Sequence, residues 1–121
     1  MFTIGVIGSG YWGPNLIRNF SGMSRTQVSR VADLNQERLA HMRKLYPTVQ
    51  TSTSYMEIIS DPYIDVVAIA TPINTHFELA KLALEGGKHV FVEKPLAGSS
   101  LQAEELISLA IKKNTKLMDG H

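Results

Sequence analysis

Short runs rich in β-branched and apolar residues alternate along the chain with longer segments whose apolar positions recur at helical spacing. The short runs are Thr3 to Ile7, Val28 to Ala32, Val49 to Thr51, Ile64 to Ala70, His89 to Val92 and Thr115 to Met118. Between them, Leu16, Ile17 and Phe20 share one helical face, as do Leu39, Met42 and Leu45. Broader stripes follow, one through Phe77, Leu79, Ala80, Leu82, Ala83 and Leu84, another through Leu106, Ile107, Leu109, Ala110 and Ile111. Short β-branched runs suit strands, and a period near 3.6 suits helices. The pattern predicts six strands interleaved with five helices. That reads as repeated βαβ units, hence a parallel sheet covered on both faces.

Punctuation agrees. Side-chain oxygens that can accept from orphan helix amides stand at Asp33 to Asn35, at Ser54, at Asn74 or Thr75 and at Ser99 or Ser100. Gly86 and Gly87 follow the fourth helix, where a left-handed residue closes a helix. The expected fold class is α/β, a Rossmann doubly wound parallel six-stranded sheet with helices on both faces, in the order 3-2-1-4-5-6. Ligands bind such sheets at the carboxyl ends of the strands, where the order reverses. Chemistry is therefore expected just after strands one, two, four and five.

Composition narrows the class. At 121 residues, 44% of them hydrophobic, the chain suits one domain and leaves no room for a separate substrate domain. Lys+Arg 12 against Asp+Glu 11 gives a net charge of +1, and the basic residues are scattered, so neither nucleic acid nor an anionic membrane is an expected partner. The absence of cysteine excludes disulfides, thiolate zinc sites and a cysteine nucleophile. No histidine or carboxylate pair has metal-ligand spacing, so no metal is expected. The first residues carry no basic flank and are broken by Gly5, Gly8 and Gly10, unlike a signal peptide, and no apolar run has the length of a membrane helix. A cytoplasmic protein is the expectation.

After strand one comes Gly8-Ser9-Gly10-Tyr11-Trp12-Gly13, followed by Pro14. Alone, this spacing is a weak signal; between a strand and a helix it is the arrangement that cradles a pyrophosphate. Gly8 allows the tight turn, Gly10 lets backbone approach the phosphates, Gly13 permits close helix packing, and Pro14 falls where its missing N–H costs nothing. Trp12 fits either stacking on a ligand or packing at the rim. Asp33 lies 20 positions after Gly13, where dinucleotide folds place the acid that bonds the adenosine ribose; the bland alternative is that it only caps a helix. Its neighbours Leu34 and Asn35 supply no cation for a 2′-phosphate, so NAD is favoured over NADP.

Strand four ends in Thr71-Pro72-Ile73-Asn74-Thr75-His76, a loop that Pro72 keeps extended and in which Thr71 offers a hydroxyl. His76 fits either a solvated or capping role or a contact on the nicotinamide side, while His41 and His89 read as surface or strand-edge residues. Strand five ends in Glu93-Lys94-Pro95-Leu96-Ala97. A Glu-Lys pair is ordinarily solvated, but at the end of a central parallel strand a lysine is aimed at the cofactor crevice, where it can bond a substrate hydroxyl. Pro95 is a candidate for a cis bond that shapes the turn.

Together these residues resemble the amino-terminal dinucleotide-binding domain of the Gfo/Idh/MocA oxidoreductases, the family of glucose-fructose oxidoreductase and inositol dehydrogenase. The likeness covers residues 2 to 121 and rests on the glycine loop, Ala32-Asp33, Ala70-Thr71-Pro72 with His76, and Glu93-Lys94-Pro95 with Leu96-Ala97. It implies hydride transfer between a nicotinamide and a sugar-like secondary alcohol, with Lys94 near the reacting centre as catalytic residue and Glu93 orienting it. Gly8, Gly10, Tyr11, Trp12, Gly13, Asp33, Thr71, Pro72, Asn74, His76, Glu93 and Lys94 are the implied cofactor-binding residues.

The glycine loop and Thr71 to His76 further look like the branch that oxidises nucleotide-linked amino sugars. The family normally continues into a substrate domain that also serves oligomerisation, so the resemblance implies a homo-oligomer and makes these residues a truncated form, binding cofactor without turnover. Asp119 departs from the family's usual apolar residue. Two other readings remain: a domain that senses NAD without chemistry, against which Glu93-Lys94-Pro95 argues, and an S-adenosylmethionine fold, which Gly13 and Pro14 fit less well.

Overall fold

The computed structural model describes residues 1–8 and 13–120, with the side chains of Gly13 and Pro14 left aside. Its six strands are β1 (Phe2–Ile7), β2 (Thr26–Ala32), β3 (Gln50–Ser52), β4 (Val66–Ile69), β5 (His89–Glu93) and β6 (Leu117–Gly120). The helices are α1 (Gly13–Ser21), α2 (Gln36–Leu45), α3 (Met56–Ile59), α4 (His76–Glu85) and α5 (Ser100–Lys112), with a single 3-10 turn at Ile73–Thr75. All strand pairs are parallel and the order is β3-β2-β1-β4-β5-β6, as the apolar pattern predicts. Among the described residues no helix is long and apolar enough to cross a membrane.

Two apolar layers sandwich the sheet. Ile4, Val6, Val66 and Ala68 pack with Leu16 and Ile17 of α1 and Leu39 and Met42 of α2. Ile7, Val67, Ile69, Val90 and Val92 pack with Ile58 and Ile59 of α3, Leu79, Ala80, Ala83 and Leu84 of α4, and Leu106 and Ala110 of α5. Alternation along β1, β4 and β5 thus splits each strand between the layers, as a sheet buried on both faces requires. An edge-to-face contact between Phe20 and Phe91, 5.9 Å between centroids, joins α1 to the sheet. In β2 the alternation breaks: Val28 and Val31, three apart, both reach the α1 side. A register shift between Ile4 and Gly5 passes over Ser29, and this extra residue returns Val31 to the face Val28 occupies.

Caps fall where oxygens allow. Asn35 accepts from the amides of Glu37 and Arg38 at 2.9 and 3.0 Å, and Ser99 from that of Gln102 at 3.2 Å. Ser54 does not cap α3: Tyr55 is the capping residue, and the Ser54 amide instead donates to the Ser52 hydroxyl. Gly87, at φ +77°, closes α4.

Three expectations shift. Leu45 does not join Leu39 and Met42 in the core but is half exposed, because α2 ends there and Tyr46 packs against that layer instead. Ile107 and Ile111 also point outward from α5. The last strand begins at Leu117 and not Thr115, since Asn114 turns left-handed at φ 56° and the Thr115 amide still closes α5 by donating to Ala110.

Candidate functional site

The order reverses between β1 and β4, and at their carboxyl ends a cavity of about 810 Å³ opens. That volume lies within the range of about 300–1,000 Å³ typical of small-molecule sites. Gly8, Asp33, Thr71 and Pro72 all line it, so the ends of strands one, two and four converge as the topology requires. Asn74, His76, Glu93 and Lys94 are not part of its wall. Gly10, Tyr11 and Trp12 lie outside the described residues, and Gly13 begins α1.

Gly8 could be no other residue without distortion. Its φ is +94°, and a Cβ there would stand 2.8 Å from the Ala70 carbonyl oxygen and 2.9 Å from Thr71 Cγ2. Its amide donates to the Ala32 carbonyl at 2.7 Å, which keeps the turn tied to β2. The backbone thus passes close to the end of β4 with no side chain between them. α1 starts soon afterwards, so the positive end of its dipole lies at this same carboxyl end of the sheet.

Asp33 follows β2, and its amide donates to the Ser52 carbonyl at 3.0 Å. Its Oδ1 accepts from the Asn35 amide at 2.8 Å. Asn35 caps α2, and the first turn of that helix brings Arg38 back, its Nη1 3.8 Å from Asp33 Oδ2. Arg38 also lines the cavity, with Leu34, Asn35, Thr53 and Tyr55. The cation that the immediate neighbours of Asp33 lack is therefore supplied one helical turn later. Sequence reading missed it, although an arginine at the third position beyond a capping asparagine was a usable signal.

At the end of β4, Pro72 is extended, with φ −57° and ψ 149°, and Ile73–Thr75 form the short turn into α4. The Thr75 hydroxyl donates to the Pro72 carbonyl at 2.6 Å and lies 2.6 Å from the Thr71 hydroxyl. With its one proton directed at Pro72, Thr75 accepts from Thr71, which leaves the Thr71 oxygen an acceptor toward a ligand. Thr75 and Glu78 also line the cavity and were not anticipated.

His76 is 2% exposed. Nε2 lies 2.7 Å from the carbonyl oxygen of Thr71 and Nδ1 2.9 Å from that of Pro95. Both nitrogens face protein carbonyls, so the ring ties two loops together and is not a solvated residue. It links the cavity wall at Thr71 to the turn after β5, where the Lys94–Pro95 bond is cis, as the candidate reading of Pro95 has it. Glu93 is buried at the end of β5, while Lys94 is exposed and its amide donates to Gly120 at 2.9 Å. Of the other histidines, His41 is exposed and His89 Nδ1 accepts from the Lys116 amide at 3.0 Å. Among the described residues no group of three His, Asp or Glu is placed to hold a metal.

A reversed parallel sheet, a glycine that admits close backbone approach and an acid after the second strand, all on one cavity, define a dinucleotide-binding domain. The chain belongs to the Gfo/Idh/MocA oxidoreductase family, whose description, "Oxidoreductase family, NAD-binding Rossmann fold", matches residues 2–121. It is 36% identical over 107 residues to the oxidoreductase YdgJ of Escherichia coli K12, covering 88% of this chain and 30% of that protein. It is 31% identical over 122 residues to UDP-N-acetylglucosamine 3-dehydrogenase of Acidithiobacillus ferrooxidans, covering 97% of this chain and 36% of that protein. A biliverdin reductase of Synechocystis sp. PCC 6803, solved with biliverdin and NADP+, superposes with a TM-score of 0.93 at 32% identity, over 98% of this chain and 37% of its own. The chain spans about a third of the length of the curated relatives it matches.

Proposed function

We propose that these residues are the NAD-holding part of an oxidoreductase that moves a hydride between the nicotinamide and a secondary alcohol of a sugar or nucleotide sugar. The observation that carries this reading is Asp33 standing at the end of β2 in the same cavity as Gly8 and Thr71. The cavity suits the cofactor: a bare backbone approach at Gly8 accommodates phosphates, and the Asp33 carboxylate accepts from ribose hydroxyls. When bound, the cofactor supplies a nicotinamide carbon that gives or takes a hydride.

Thr71 offers an acceptor along the same wall. Lys94, exposed at the end of β5, is the proposed catalytic residue: its ammonium donates to the substrate oxygen and stabilises the negative charge that gathers there as the carbonyl forms, while the hydroxyl proton passes to water. Glu93, which is buried, and Pro95, which is exposed, flank that lysine and set where it stands. Turnover, the sugar pocket and assembly into a homo-oligomer are assigned to the further length that the relatives have, and binding of NAD to the residues described here. The resemblance of one relative to this chain favours a nucleotide sugar as substrate, and a need for NAD favours the cytoplasm.

Calorimetry with NAD, NADP and S-adenosylmethionine tests the cofactor, with NAD expected to bind tightest. Asp33→Asn should weaken NAD by about 1–3 kcal/mol, the range of a charge-assisted hydrogen bond. Unchanged affinity in that variant removes the ribose assignment.

A further inference from the structure

We infer that His76 is a positioning residue for Lys94, and that its ring passes occupancy of the cavity at Thr71 to the turn that carries the lysine. The inference rests on the NAD reading above and adds to that site a residue that is not in its wall.

The ladder between β4 and β5 ends at the pair of Ile69 and Val92. Thr71 and Pro95 lie past that pair, and there the His76 ring joins the two chains: Nε2 is 2.7 Å from the Thr71 carbonyl oxygen and Nδ1 2.9 Å from that of Pro95. The residue before Pro95 is tied the other way, since the Lys94 amide donates to the Gly120 carbonyl of β6 at 2.9 Å. β4 and β6 flank β5 on opposite sides. Consecutive residues are thus held from both sides, and the lysine side chain leaves the backbone between the two ties.

At its other end the ring meets a residue that a ligand reaches. Thr71 lines the cavity, and the Thr75 hydroxyl, 2.6 Å away and donating to Pro72, leaves the Thr71 oxygen able to accept. A ribose hydroxyl that donates there acts on the same residue whose carbonyl faces Nε2. The ring is rigid and 2% exposed, so neither water nor side-chain rotation absorbs a displacement at Thr71. The neutral ring also has one N–H for two acceptors. Whichever carbonyl gains the bond, the other loses it. The two tautomers are therefore a two-state element that the cavity biases at one end and the lysine turn feels at the other.

The experiment is a nitrogen and proton NMR titration of the chain with ADP-ribose, which keeps both riboses and both phosphates of NAD and lacks the nicotinamide ring that would lie beside Lys94. In the wild type, the two His76 ring nitrogens should shift in opposite directions, and the amides of Lys94 and Leu96 should move along the same saturation curve. His76→Gln sets a donor about where Nε2 stands and keeps only the Thr71 tie, while His76→Asn sets one about where Nδ1 stands and keeps only the Pro95 tie. In both variants the Lys94 and Leu96 responses should all but vanish, with ADP-ribose affinity held within about threefold, less than the worth of one hydrogen bond to the ligand. Responses at Lys94 and Leu96 that persist in either variant would overturn the inference and leave the NAD reading intact. Ring nitrogens that stay still while the wild type binds ADP-ribose would do the same, and this measurement decides alone should neither variant fold. A wild type that does not bind ADP-ribose would remove both readings.

Discussion

The Nδ1 atom of His76, at the start of α4, lies 2.9 Å from the carbonyl oxygen of Pro95, in the turn after β5. Its Nε2 reaches the Thr71 carbonyl at 2.7 Å, so one buried ring spans two loops that the chain separates by a helix and a strand. Carbonyl oxygens only accept, and the neutral ring carries one N–H, so the tautomer decides which of the two carbonyls receives the hydrogen bond. His76→Ala should destabilise the fold by about 1–3 kcal/mol, through the lost packing of a buried ring and a part-buried carbonyl left without its donor. Urea denaturation measures this, and a loss under about 0.5 kcal/mol, the scale of ordinary surface substitutions, would contradict it.

Gly8→Ala puts a methyl group 2.8 Å from the Ala70 oxygen at a φ of +94°. Both the contact and the backbone conformation are adverse, and a loss of about 1–3 kcal/mol in stability is expected from strain of this kind. NAD titration should show a parallel loss of affinity, because the backbone must move away from the end of β4. Binding equal to wild type would mean that the phosphates do not pass this point.

In a chain extended to the length of its relatives, Lys94→Ala should lower kcat by about 10²–10⁴-fold, the usual worth of general acid-base assistance. The affinity for NAD should hold within a few fold, since Lys94 is not part of the cavity wall. A loss confined to cofactor affinity would reassign Lys94 to binding.

A charged cluster stands at the amino-terminal ends of β4 and β5, the end of the sheet away from the cavity. Lys88 is buried and donates from Nζ to the carbonyls of Asp61 and Ile64 at 2.7 and 2.8 Å, while the Arg30 guanidinium holds the Asp61 carboxylate at 2.8 Å. The Tyr63 amide, and then Arg30, keep the Asp61 carboxyl below the ordinary value of 3.8. Asp61 thus binds a proton less readily folded than unfolded, and its stabilising contribution is complete above pH 3.8 and lost as the pH falls through the lower folded value. Denaturation midpoints should show Asp61→Asn weaker than wild type at neutral pH, with the gap closing in acid. A gap independent of pH would contradict this.

Burial pushes Lys88 below its ordinary 10.5, so the folded chain releases that proton before the unfolded one does. Stability from this group should rise as the pH climbs toward 10.5. Lys88→Met should remove that rise and cost about 1–3 kcal/mol, because the Ile64 carbonyl loses its side-chain donor while that of Asp61 keeps the Ile64 amide. Stability profiles of the two proteins that run parallel across the alkaline range would rule this out.

The sheet was legible because its strands are buried on both faces, which leaves apolar runs distinct from the helical stripes between them. Gly8, Asp33, Thr71 and Pro72 were legible for a related reason: strand ends in a doubly wound sheet converge wherever the order reverses. Arg38 was hidden because its approach to Asp33 depends on Asn35 capping α2, a matter of helix phase and not of spacing in a motif. His76 was visible as a polar residue in a first helical turn, but nothing local shows that Pro95, 19 residues on, offers it a carbonyl. The bulge at Ser29 was equally silent, since Val28 to Ala32 looks like an ordinary strand until its register is known.

The closed circuit from Asp33 through Asn35 and the first turn of α2 to Arg38 has a kinetic side. A loop that must order itself around a nucleotide loses conformational entropy at every encounter, which weakens association. Here the acid's position is settled by hydrogen bonds that exist before any nucleotide arrives, so that ordering cost falls on folding alone. Arrival should then be governed by diffusion and docking, and differences in affinity among variants of this turn should surface chiefly in how fast the nucleotide leaves.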